Sequence, residues 1–172
     1  MRTKFALVFL VVLAAAIASA QTLTQYQYPS DGFRASYPSE PKLSKRNVPT
    51  DVGTFELRSY IAEPGEAALF VGVCDYGSQL AGSDSAKVLQ GAKNGALTNS
   101  KSHLVDGSEK SFTFQGYPAL EFQAETDTAH FRARIYLVGT TLYQTLVVSP
   151  LGTPYQNTQE FLDSFGLIPR AK

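Results

Sequence analysis

The side chains best suited to contacting a ligand lie on neighbouring predicted strands in the second half of the chain. A two-residue turn at Thr126-Asp127 puts Glu121 opposite Arg132. The same pairing puts Gln123 opposite His130. The face they share continues with the other polar and aromatic groups of the two following strands, namely Arg134, Tyr136, Tyr143 and Thr145.

Two interpretations of this face remain open. It is either a solvated surface whose charges pair across strands or a shallow groove. In the groove interpretation Arg132 and Arg134 face an anion, and Tyr136 and Tyr143 form a platform. The candidate ligand-contacting residues are Arg132, Arg134, Tyr136, Tyr143, His130 and Glu121.

Metal binding and catalysis have less support. Neither His103 nor His130 has a second ligand-type residue at a spacing suited to zinc. No G-x-S-x-G motif occurs, although a hydrolase site that the fold assembles from one histidine, a serine and a carboxylate stays open as an alternative. Several acidic residues are too dispersed for a calcium loop and are interpreted as surface charge: Asp31, Glu63, Glu66, Asp75 and Asp84. We therefore expect no metal, no cofactor and no catalytic residue.

Two further polar side chains fall in apolar surroundings. Cys74 is the one cysteine of the chain, so it has no internal disulfide partner, and its apolar strand predicts a buried, inert thiol. Gln144 has the same parity as Leu142 and Leu146, which predicts an amide on the apolar face that needs hydrogen-bond partners.

The elements that must position these residues are strands of an antiparallel meander between residues 111 and 150. Three predicted turns keep apolar residues on one face: a loop at Gly116-Tyr117-Pro118, the turn at Thr126-Asp127, and a turn at Gly139-Thr140. With these turns Phe114 faces Leu120, Phe122 faces Phe131, and Leu137 faces Leu142.

Earlier in the chain, alternation predicts strands at residues 32–37, 55–61 and 67–76, with a hairpin loop at 63–66. The charged and proline-containing segment 39–51 is predicted to be a loop.

Two helices are predicted on this sheet. In the first, Val88, Leu89, Ala92 and Ala96 recur at helical spacing after a cap at Ser83 or Ser85. Gly91 and Gly95, four residues apart, suggest a close approach of this helix to the sheet.

The second helix is predicted to begin with Thr153 as its N-cap and Pro154 at its first position. Phe161, Leu162 and Phe165 form its buried stripe, and Gly166 ends it in a left-handed conformation.

The amino terminus has the features of a secretory signal. Arg2 and Lys4 precede an apolar run over residues 5–17, and small residues at 18–20 predict cleavage after Ala20. No cysteine follows the run, so no lipid anchor and no stable membrane attachment are expected. The product is predicted to be secreted or periplasmic.

Removal of these 20 residues from the 172-residue chain leaves 152, enough for a single domain. We expect a flexible lead-in over 21–30 and one α+β domain over 31–172. The cleaved chain has 13 basic and 15 acidic side chains, because Arg2 and Lys4 are lost, and this balance implies no nucleic-acid partner.

Both ends of the cleaved chain resemble the PsbP-like fold. The matching segments are residues 31–38, which read Asp-Gly-Phe-Arg-Ala-Ser-Tyr-Pro, and residues 161–165, which read Phe-Leu-Asp-Ser-Phe. The fold includes the extrinsic lumenal protein of photosystem II, a eukaryotic Ran-binding protein and mycobacterial lipoproteins of the LpqN type. Residues 132–139 and 142–144 are similar to uncharacterised secreted bacterial proteins.

This resemblance implies an antiparallel sheet of about six to seven strands flanked by two main helices. The chain has no tryptophan, unlike the photosynthetic members, and lacks the anchoring cysteine of the lipoproteins. No metal-binding or partner-binding residue is therefore carried over. The sequence favours an exported, non-catalytic domain that binds an unidentified protein or small ligand, with a hydrolase or an envelope-associated structural protein as alternatives.

Overall fold

A computed structural model describes residues 22–50 and 53–171, so the predicted signal peptide and its cleavage site lie outside the described residues. The described part forms eleven strands, two α-helices and a short 3₁₀ helix at Gly77–Leu80. The strands are β1 (Thr24–Tyr28), β2 (Phe33–Tyr37), β3 (Lys42–Thr50), β4 (Gly53–Ala62), β5 (Ala68–Asp75), β6 (His103–Leu104), β7 (Lys110–Phe114), β8 (Tyr117–Glu125), β9 (Ala129–Val138), β10 (Thr141–Pro150) and β11 (Gly166–Leu167), and the helices are α1 (Ser85–Ser100) and α2 (Thr158–Ser164).

The described strands form two antiparallel sheets. The larger has the order β3-β4-β5-β10-β9-β8-β6, and β7 also pairs with β8. The smaller has the order β1-β2-β11. An α+β fold with a C-terminal antiparallel meander is therefore confirmed, with more strands than the predicted six to seven.

The observed turns of the meander agree with the predicted turns to different degrees. At Gly139-Thr140 the predicted register is confirmed, because Leu142 pairs with Leu137. Between β8 and β9 the connection is longer than predicted, and Phe122 pairs with Ala133 rather than with Phe131. This shift of two residues leaves every side chain on its predicted face, because side chains alternate with a period of two.

The β7–β8 register was predicted incorrectly, and the error changes the faces. Phe114 pairs with Tyr117 across a two-residue turn at Gln115-Gly116, where both residues have positive φ (49° and 86°). The shift of three residues is odd, so Phe112 and Phe114 lie on the face opposite to Leu120. A glutamine in the left-handed region gives little sequence signal for such a turn.

Two segments predicted to be irregular are strands. Within the predicted lead-in, residues 24–28 form β1 and pair along the whole of β2. Within the predicted loop 39–51, residues 42–50 form β3, which pairs with β4 at the edge of the large sheet. The side chains of β3 are mostly exposed, so the strand shows no apolar alternation, and its charges and proline are typical of an edge strand.

The N-cap of helix α1 lies between the two caps predicted from the sequence, one residue from each. The N-cap is Asp84, whose carboxylate accepts hydrogen bonds from the backbone N–H groups of Ala86 (2.9 Å) and Lys87 (3.2 Å). Gly91 and Gly95 are exposed with no atom near a notional Cβ, so the predicted close approach to the sheet was wrong.

Helix α2 begins five residues after its predicted cap, with Asn157 rather than Thr153 in the capping position. Its buried stripe of Phe161 and Leu162, continued by Phe165, is confirmed. Gly166 is not left-handed; it continues into β11 and pairs with Arg34 of β2.

The two faces of the large sheet carry separate cores. Helix α1 covers β8 and β9 on one face, around Leu89, Leu120 and Ile135. The smaller sheet and α2 cover the other face. Gln144 lies on the α1 face as predicted, yet it is partly exposed, since α1 packs mainly on β8 and β9. Cys74 is buried, as predicted.

Candidate ligand-binding groove

The predicted polar face lies beneath the smaller sheet and α2, and its centre is core. Tyr136 and Tyr143 are almost completely buried. Phe165 stacks on Tyr136 with ring centroids 4.6 Å apart and contacts Tyr143 at 5.7 Å. Neither tyrosine ring is therefore exposed as the predicted platform, because the covering layer comes from the two distant ends of the chain.

Arg134 and Glu121 form an ion-pair network at the edge of this core. The Nε–H of Arg134 donates to Glu121 Oε2 at 2.6 Å, and its Nη1 donates to Asp163 Oδ1 of α2 at 2.7 Å. Burial alone lowers the pKa of Arg134, but the hydrogen bonds to both carboxylates outweigh it and raise this pKa above its ordinary value. Arg134 thus joins α2 to the sheet.

His130 and Arg132 lie beyond this network and line a groove of about 290 Å³. Strands β9 and β10 form its floor. The segment before α2 and the first turn of α2 form a wall. The remaining lining residues are Val147, Ser149, Pro154, Tyr155, Gln156, Thr158 and Gln159. Of the six predicted site residues, the structure brings only His130 and Arg132 together in this groove.

Arg132 is incompletely paired. Its Nη2 donates to Gln159 Oε1 at 3.0 Å and to Glu121 Oε1 at 3.2 Å, yet its buried Nε–H has no protein partner among the described residues. The buried hydroxyl of Tyr155, which also lines the groove, likewise lacks a partner. Burial raises the pKa of Tyr155, so its hydroxyl keeps its proton and can donate. Buried donors of this kind are costly unless an acceptor meets them.

His130 pairs across strands with Glu125 on one side and Ser149 on the other. Its Nε2 nevertheless lies 3.1 Å from Gln123 Oε1, and among the described residues neither histidine hydrogen-bonds to a serine. His103 is exposed on β6, away from the groove. The described residues therefore do not form the serine–histidine hydrogen bond that a nucleophilic site requires.

A second groove, of about 520 Å³, lies at the other end of the β9–β10 hairpin. Its polar groups are already paired with one another. Arg170 donates to Asp75 (3.3 Å), Thr141 (3.0 Å) and Tyr143 (3.2 Å), and Gln115 Oε1 accepts from the backbone of Leu167. The smaller groove is the better candidate site, because its donors are unsatisfied.

The sequence did not indicate Tyr155 and Gln159 as site residues. Tyr155 lies just before α2 and Gln159 lies within it, 23 and 27 residues after Arg132. The one available signal was the cap-like pattern at 153–156. It correctly predicted a helix shortly after these residues, but it placed the beginning of the helix too early.

The described residues contain no cluster of three metal-ligating side chains. None of the helices in the same part of the chain has the length and apolar character to cross a membrane.

Comparison with known proteins identifies the fold. The solution structure of the cyanobacterial PsbP protein CyanoP from Synechocystis sp. PCC 6803 superposes with a TM-score of 0.54 and 15% sequence identity, covering 91% of this chain and 98% of that one. A crystal structure from Bacteroides thetaiotaomicron VPI-5482 matches with a TM-score of 0.38 and 14% identity, covering 86% of this chain and 48% of that one. No protein-family model and no curated protein matches the sequence. The chain has a PsbP-like fold, as the resemblance of its two ends predicted.

Proposed function

We propose that this chain is an exported, non-catalytic binding domain, and that its ligand lies in the groove lined by His130 and Arg132. The unsatisfied Nε–H of Arg132 carries the proposal. Structural ion pairs of the fold, such as that of Arg134, engage their donors more fully. A binding site keeps donors ready for an incoming acceptor.

The groove has the mixed character of a recognition site. Val147 and Pro154 supply apolar surface, while Arg132 and Tyr155 supply donors that lack protein partners among the described residues. Export is supported by the signal-like amino terminus, whose cleavage after Ala20 can be checked by the mass of the protein isolated from the medium or periplasm. An intact Met1 there would contradict it.

Capture with matched variants tests the binding role. The wild-type protein, Arg132→Gln and Arg46→Gln are immobilised and exposed to the medium and periplasmic fraction of the producing cells, and bound proteins and small molecules are identified by mass spectrometry. We expect a ligand that the wild type and Arg46→Gln retain and Arg132→Gln loses. Arg46 is exposed on β3, far from the groove, and controls for loss of a positive charge.

A ligand retained equally by Arg132→Gln would contradict the assignment of the groove. The hydrolase alternative is separated by His130→Ala: turnover of any captured ligand by the wild type that this variant abolishes would show that the domain is an enzyme.

A further inference from the structure

Arg132 has two partners, Glu121 and Gln159, and each offers one oxygen to the same Nη2 group. A guanidinium presents its N–H groups in a fixed fork, and a carboxylate can meet two of them with two parallel hydrogen bonds. The side-chain amide of Gln159 has a single oxygen, which accepts from Nη2 and leaves the buried Nε–H without a partner. Gln159 thus meets one of the two neighbouring N–H groups that a carboxylate can engage together.

We infer that the groove binds a small organic carboxylate, which displaces the amide oxygen of Gln159 and accepts from both Nε and Nη2 of Arg132. The inference rests on the proposed function, because it names the ligand class of the same groove. Gln159 is exposed, and its Nε2 donates to both carboxylate oxygens of Asp163 (3.0 and 2.9 Å). Because the side chain is exposed, its whole amide can swing into solvent when a ligand arrives, with water replacing its hydrogen bonds to Asp163.

The charges around the groove favour a singly charged ligand. Arg132 and Arg134 are balanced by Glu121 and Asp163, and these four side chains form one continuous ion-pair network. A carboxylate adds one negative charge to this neutral group and is met by two charge-assisted hydrogen bonds. Inorganic phosphate brings more charge next to Glu121 and is disfavoured.

The rest of the groove suits a ligand with a compact apolar body. Val147 lies in its floor, and Pro154 and Tyr155 line its wall. An apolar cavity of about 150 Å³ is enough to hold benzene. The 290 Å³ of this groove therefore admits a ring together with its carboxylate.

Benzoate, with benzamide as its neutral isostere, provides a direct test. The purified protein is titrated separately with benzoate, benzamide and inorganic phosphate, and NMR follows the backbone amides and the Arg132 Nε–H resonance. We expect benzoate to shift that resonance saturably. Benzamide should bind about tenfold more weakly, since it offers one oxygen and no charge. Phosphate should leave the resonance unchanged.

Two opposite substitutions at one position examine the role of Gln159. Gln159→Ala removes the competing amide oxygen and should raise the benzoate affinity several-fold. Gln159→Glu supplies a carboxylate from α2, so it should abolish benzoate binding and shift the Arg132 Nε–H resonance without ligand. Gln79→Glu makes the same charge change on an exposed position of the 3₁₀ helix and should leave the affinity unaltered.

The outcomes separate the ligand class from the site. Benzamide or phosphate binding as tightly as benzoate would overturn the carboxylate assignment, while retention of a captured ligand that depends on Arg132 would leave the binding role standing. Absence of any benzoate-dependent shift at Arg132, in the wild type and in Gln159→Ala, would overturn the inference outright.

Discussion

Asp31 shows how one buried carboxylate can join the two layers of the fold. It is only 4% exposed and accepts from Arg58 Nε (2.7 Å) and from the hydroxyl of Tyr60 (2.5 Å). Its backbone carbonyl accepts from the hydroxyl of Tyr143 at 2.7 Å. Burial and the hydrogen bond to Asp31 raise the pKa of Tyr60, so this tyrosine remains a donor. The interpretation of Asp31 as surface charge was wrong, and the sequence did not reveal its burial because both partners of its carboxylate are distant along the chain.

Replacing this carboxylate with an amide tests its structural role. Asp31→Asn should lower the free energy of unfolding by about 2 kcal/mol, since the partly buried Arg58 loses the nearer of its two counter-ions and keeps only Glu56, while the shape is kept. Urea denaturation measures the change. Asp106→Asn, at an exposed loop position, should change the stability by less than about 0.5 kcal/mol. Equal effects of the two substitutions would contradict this account.

The candidate site was partly predictable at the level of single residues. His130 and Arg132 were found because strand parity places them on one face. Tyr136 and Tyr143 were assigned to the same face correctly, but their exposure was not, because parity does not reveal what packs on a face. Only the folded chain brings Phe165 onto Tyr136.

At the scale of elements, parity explains which predictions succeeded. The even shift between β8 and β9 preserved the faces, whereas the odd shift between β7 and β8 moved Phe112 and Phe114 into the other core. The difference came from Gln115, whose positive φ permits a two-residue turn that its residue type does not signal. Strand β3 was missed because an exposed edge strand needs no apolar pattern.

The residue that caps α1 differs between the sequence prediction and the structure, and this difference can be tested. Asp84→Ala should cost about 1 kcal/mol in unfolding free energy, because Asp84 satisfies the N–H groups of Ala86 and Lys87. Ser83→Ala and Ser85→Ala, at the two caps predicted from sequence, should each cost less than about 0.5 kcal/mol. Thermal unfolding of the three variants distinguishes the caps, and a larger loss with either serine variant would contradict the observed cap.

The Lys93–Glu109 ion pair attaches α1 to the segment before β7. Lys93 is 7% exposed, and both it and Gln90 donate to the carboxylate of Glu109. These hydrogen bonds hold the pKa of Glu109 below its ordinary value of 4.5. A lowered folded-state pKa stabilises the fold above pH 4.5, and this contribution is lost as the pH falls through the folded-state pKa.

Glu109→Gln should therefore destabilise the protein in a pH-dependent way. Near neutral pH we expect a loss of about 1 to 2 kcal/mol, since Lys93 is left buried without a counter-ion. The stability difference from wild type should shrink as the pH falls below 4.5. Urea titrations across this range measure it. Glu63→Gln, at an exposed loop position, should show no such dependence, and a constant difference for Glu109→Gln would contradict the linkage.

At the scale of the whole molecule, Phe165 connects both ends of the chain to the meander. Its ring packs against Tyr136 and Tyr143 of the large sheet, against Phe33 of the small sheet, and against Phe114 of β7. The two sheets therefore share one core on this face, and we expect them to unfold as one cooperative unit.

Phe165→Ala tests that cooperativity. Loss of a fully buried phenylalanine should cost about 3 to 5 kcal/mol, which is a large part of the 5–15 kcal/mol typical of a domain. Tyr117→Ala, which removes a ring that is 38% exposed, should cost less than about 1 kcal/mol. Urea unfolding followed by far-ultraviolet circular dichroism and by tyrosine fluorescence should give a single coincident transition for wild type, moved to lower urea in Phe165→Ala. Two separate transitions in the wild type, or a midpoint that Phe165→Ala leaves unchanged, would contradict a cooperative core shared by the two sheets.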